Sequence, residues 1–156
     1  MTKHSKNYWL FIAGFFGGLA EVVWIGLYSL NSNVQISVIG SAVTATIYPP
    51  ASDIYLAPVL GLVIHMALSV LLAFGFGSLL WPVIERKFHC KAAAMIASIT
   101  TLSVVWKINF FLLLPIWNPE FISLLPLSVT LVSKILFGLA MGVVFMIYQQ
   151  KNSLTN

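Results

Sequence analysis

Residues 8–30, YWLFIAGFFGGLAEVVWIGLYSL, decide how the rest of the chain is read. The stretch is 23 residues long, and a helix needs about 20 apolar residues to cross a hydrocarbon core of about 30 Å. Lys3 and Lys6 precede it as they would a signal peptide. The run is too long for one, carries Glu21 and has no small-residue cleavage site, so it is read as a retained transmembrane helix. Three stretches of the same kind follow, at about 56–81, 92–116 and 125–148. Pro58 and Pro126 fall in first turns, where a missing N–H costs little. Pro82 and Pro115 are expected to close the second and third spans.

Composition leads to the same place. Of 156 residues, 60% are hydrophobic and 8% charged, with a mean hydropathy of +0.97. A soluble domain has about 45–50% apolar and about 25% charged residues. Disorder is excluded by the low polar content. A disulfide framework, a Cys-x-x-Cys zinc site and dithiol chemistry are excluded because Cys90 stands alone. The net charge of +4 does not imply nucleic acid, since so few basic residues in so apolar a chain form no basic face. The expected architecture is all-α: one transmembrane domain over residues 1–156, an integral-membrane four-helix bundle with a short outer cap.

Basic residues orient it. Lys3, Lys6, Arg86, Lys87, Lys91 and Lys151 all fall on one side of a four-span chain, and the loops at about 31–55 and 117–124 have none. Both termini are therefore expected in the cytoplasm, with the chain in the inner membrane. His89 and Cys90 fall in the basic connection as ordinary surface residues. Trp9, Trp81 and Tyr148 are expected at the inner interface, and Tyr48, Tyr55 and Trp117 at the outer one. Residues 34–47, VQISVIGSAVTATI, are apolar but too short to span. They are expected to form the cap, lying flat at the interface, re-entering the bundle mouth or serving as a lid, with a helix bearing a Ser/Thr stripe preferred, and to end at Pro49–Pro50.

Each span carries one ionisable residue: Glu21, His65, Lys107 and Lys134. Each lies about nine residues from the outer end of its span, which at 1.5 Å per residue puts all four about 13 Å deep. Small residues share their helical faces, and Gly14–Gly18 and Gly138–Gly142 have the GxxxG spacing of close helix contact. The four are thus expected to point inward as one polar layer, with Trp24 and Trp106 as aromatic walls and Asn109 as an amide at the same level. One lysine can pair with Glu21, leaving the other without a protein anion. That surplus points to an anionic or acceptor-rich ligand, or to an acid from a partner subunit. Three roles stay open for the layer: a ligand, proton or ion site, a hydrogen-bond network that sets helix register, or a seam facing another subunit. A lone His65 is more often a hydrogen-bonded core histidine than a ligand.

Several chemistries drop out. His65 is the only histidine in a span, so paired haem ligation is excluded, and a single intramembrane acid excludes a di-iron site. No nucleophile elbow, phosphate loop or dinucleotide fingerprint is present. No cofactor or metal site is expected. Glu21 or His65 could serve acid–base chemistry, but no spacing singles out a reaction.

Gly17–Gly18–Leu19–Ala20–Glu21–Val22 resembles the stretch around the membrane glutamate of small multidrug-resistance exporters, which implies proton exchange for a cationic drug. The long outer loop, Lys107 and Lys134 depart from that pattern. Gly18 to Trp24, Gly61 to Met66, Asn109 to Pro119 and Ser133 to Gly138 together resemble small bacterial four-helix inner-membrane proteins, which implies the architecture but no activity. The expected function is a small transporter or ligand-binding membrane protein, its polar site open to the outer side, acting in the bilayer as a monomer or homo-oligomer. The alternative is a non-catalytic accessory subunit of a larger membrane complex.

Overall fold

The computed structural model describes residues 3–88 and 92–153, which are helical with no strand among them. Helix α1 (Lys3–Leu30) is followed by α2 (Ile36–Ile47) and α3 (Ala57–Gly75). A π turn at Phe76–Leu80 leads into α4 (Trp81–Lys87). Helix α5 (Ala92–Ile108) continues through a second π turn, Asn109–Leu113, into α6 (Leu114–Trp117). Helices α7 (Pro119–Leu124) and α8 (Leu127–Ser153) complete the chain. Four stretches are long and apolar enough to cross a membrane: Lys6–Leu30, Ala57–Lys87, Ala92–Trp117 and Leu127–Lys151. His89, Cys90 and Lys91 lie outside the described residues.

Pro82 and Pro115 do not close their spans. A proline ring clashes with the carbonyl four residues earlier, here that of Ser78 or Phe111. Each of those residues lies inside a π turn, where the wider backbone leaves room for the ring, and the helix resumes.

The bundle is an open arc in the order α3, α1, α8, α5: α1 packs on α3 and α8, α8 on α5, and α3 is not packed against α5. Close backbone approach joins neighbouring helices, as small residues allow between apolar helices. The glycines supply it. A Cβ on Gly14 would lie 2.5 Å from Val70 Cα in α3, and one on Gly138 would lie 2.7 Å from Ile99 Cα in α5. Towards the terminal end, where the chain begins and finishes, the interior is dry and aromatic. Phe137 and Met141 are fully buried there, and Phe76 meets Phe145 edge-on at 5.2 Å between ring centres. Trp81, which follows the π turn directly, belongs to this core at 3% exposure, packed on Phe76 and Phe145, rather than to an interfacial belt. Trp9 and Tyr148 do pair near the chain ends, 6.1 Å apart.

The opposite, cap end is finished by α2, which is helical and packs along the start of α3 instead of lying away from the bundle. Gly40 faces Gly61, where a Cβ would strike the opposing backbone, and the Thr44 hydroxyl donates to the Ala57 carbonyl at 2.6 Å. Tyr48 leaves helical geometry ahead of Pro49, which ends the helix. Asn118 ties α2 to the far corner: its Nδ2 donates to Thr46 Oγ1 at 2.9 Å, and its Oδ1 caps α7 through Phe121 N.

Candidate functional site

Beneath α2, the cap half of the bundle encloses a cavity of about 700 Å³. Small or polar side chains (Gly61, Ser69, Thr130, Ser133) face it from α3 and α8, and Phe110, Trp117 and Phe121 line it from the second π turn, α6 and α7. Its walls are otherwise largely apolar, with Ile25, Ile39 and Val43 opposite Leu113.

Polar groups from three helices meet at the cavity wall. Glu21 of α1 is 8% exposed, and Lys134 Nζ of α8 lies 2.7 Å from both of its carboxylate oxygens. This two-pronged ion pair sits across the α1/α8 seam. Ser133 Oγ is 3.0 Å from Glu21 Oε1 and 2.7 Å from the Thr130 carbonyl, so its one proton serves both acceptors. His65 of α3 approaches from the other side, with Nε2 3.8 Å from Glu21 Oε2. That separation is too long for a hydrogen bond, and Nε2 is buried with no partner among the described residues. A buried imidazole nitrogen without a partner costs free energy, and the polar group nearest to this one is the Glu21 carboxylate.

The expected layer of four is a cluster of three. Glu21, His65 and Lys134 are brought together, and Asn109, within the second π turn, lines the same cavity. Lys107 is not with them. It is exposed on the outward stripe of α5, among Val104, Ile108 and Phe111, and has no partner among the described residues. The inward face of α5 is set by Ala94, Ser98 and Leu102, and Lys107 falls about half a turn round from Ser98. The cluster therefore has no surplus positive charge, and the argument for an anion loses its basis.

Trp24 and Trp106 are not cavity walls. Trp24 Nε1 donates to the Val129 carbonyl and Trp106 Nε1 to Thr130 Oγ1, each at 3.0 Å, so α1 and α5 grip the first turns of α8 between them. Ser133 was not singled out from the sequence as a site residue. Its signal was available: it adjoins Lys134 and follows Thr130 by three residues, on one helical face. No group of three or more His, Cys, Asp or Glu that could hold a metal ion occurs among the described residues. The chain matches no protein-family model, no curated protein and no solved structure.

Proposed function

We propose that this is a small membrane protein that binds or transports a ligand in the cavity beneath α2, with both termini in the cytoplasm and the cavity reached from the outer side. The observation that carries this reading is the conjunction of a 700 Å³ cavity with a Glu21–Lys134 ion pair and an unpartnered His65 Nε2 in its wall. A polar network that served only to fix helix register would fill its own space and satisfy its own atoms. With charges balanced, the site suits a neutral or zwitterionic molecule that hydrogen-bonds to His65 and the carboxylate edge.

Access is tested by thiol labelling in intact cells with Cys90 replaced by Ser. Val43→Cys should react with a membrane-impermeant maleimide added outside, and Arg86→Cys should react only after the cells are opened. An unreactive Val43→Cys, or an Arg86→Cys that reacts from outside, would remove the reading.

Lys107 favours a second reading, an accessory subunit. A lysine on a bilayer-facing surface costs about 2.5–3.5 kcal/mol on insertion scales, and an acid on a partner helix would offset that cost. A co-purifying chain at fixed stoichiometry in mild detergent, released by Lys107→Leu, would establish it. A homogeneous preparation of this chain alone would dismiss it.

A further inference from the structure

The arc of helices is open on one side, and the opening continues the cavity. Between α3 and α5, a second hollow of about 440 Å³ runs on towards the terminal end. It shares Leu68, Leu72 and Val105 with the cavity, so the two are contiguous. Among the described residues, Thr101 is the only polar side chain lining the second hollow. We propose that cavity and groove together hold one single-chain amphipathic lipid, which enters sideways between α3 and α5. Its uncharged hydrogen-bonding head lies at Glu21, His65 and Lys134, and its hydrocarbon chain lies along the groove. This assignment rests on the cavity being the ligand site.

Dimensions favour a chain over a helix as the occupant. From Leu68 to Leu80 the groove follows 12 residues of helix, about 18 Å, longer than half of a 30 Å hydrocarbon core, about 15 Å. Its volume over that length gives a cross-section of about 24 Å², about a third of that of an α-helix about 10 Å across. The groove also faces outward. Leu71 is 64% and Leu79 72% exposed, so a chain arriving from the bilayer keeps a hydrocarbon environment throughout. The head is the part that needs the protein. Moving a hydroxyl-bearing head below the lipid headgroups leaves it without water, and the polar cluster replaces those hydrogen bonds. The ion pair is already complete, so a charged head would lack a counter-ion, and a glycerol-like head would not need one.

The test uses the full chain in nanodiscs and a monoacylglycerol with a diazirine at the end of its chain. Crosslinks should map to residues 68–80 and 101–105 and be competed away by unlabelled monoacylglycerol. Oleate and free glycerol should compete at least tenfold less well. Leu71→Trp, on the exposed lip and so harmless to folding, should reduce labelling about tenfold by overfilling the groove. Competable labelling confined to α2 and the cavity walls would leave the ligand site standing and overturn the groove. Equal competition by oleate would overturn the uncharged head. Labelling that no lipid competes away would overturn both the groove and the site beneath α2.

Discussion

Towards the terminal end, Phe76, Trp81, Phe137 and Phe145 fill the space between four helices, whereas at the cap end the same helices enclose a cavity and share one ion pair. The aromatic half gains from its ring contacts, and its one polar obligation among the described residues is Trp81 Nε1, buried without a partner. The cap half gives up that packing, and needs α2 as an additional wall because its facing residues are too small to meet. One half holds the fold together, and that leaves the other free to keep an incompletely satisfied site.

The largest effect should come from the dry half. Phe137→Ala removes a fully buried ring that sits against Gly17, and should cost about 3–5 kcal/mol in detergent unfolding. A loss below about 1 kcal/mol would mean that the terminal half is not the anchor.

The cap half has one comparable vulnerability. Glu21→Leu leaves the Lys134 ammonium buried and unpaired, which should cost about 3–5 kcal/mol. Adding Lys134→Met should return stability to near wild type, since an apolar pair replaces an ionic one of similar volume. A double variant as unstable as the single would show that the pair itself, and not charge balance, holds the α1/α8 seam.

Smaller losses are expected where α2 docks. Thr44→Val deletes the 2.6 Å bond to the Ala57 carbonyl and should cost about 1 kcal/mol, with faster amide exchange confined to α2. Exchange that rises throughout the bundle would mean that the halves are not separable.

The smallest effect sharpens the contrast most. Val43→Phe adds a ring to the cavity and should move stability by less than about 0.5 kcal/mol. The same increase in volume placed in a packed core costs about 1–3 kcal/mol. A cost of that size at Val43 would show the cavity to be closed up in solution.

The four spans were legible because an apolar run of that length admits few other readings, and the cap was legible from its shortness and the proline pair after it. The meeting of Glu21, His65 and Lys134 was legible from their equal depth. The face of Lys107 was not. Helix α5 is apolar nearly all round, so its sequence barely distinguishes inward from outward, and its close contact is made at Ser98, half a turn away from Lys107. The prolines misled because a π turn has no distinctive composition. The gap between α3 and α5 had no sequence signal, since short connections reveal which helices are neighbours and not how far they splay.

The second π turn has a consequence for chain length. A π turn holds one residue more than α-helical geometry needs. Deleting one residue from 109–113 would therefore leave a continuous α-helix whose residues beyond that point keep nearly the same height and facing, because the five residues of the π turn sweep about the arc that four sweep in an α-helix. Asn118 would stay within reach of Ala42 and Thr46, and the tie between α7 and α2 would hold. Glu21, His65 and Lys134 would keep their places, because none lies downstream on that helix and α8 is held separately by its glycines and the two tryptophans. Insertions and deletions are thus unequal along this chain: one residue can be lost at 109–113 with the mouth of the cavity and its polar cluster both kept, whereas a loss inside a regular α-helix turns everything beyond it by about 100°.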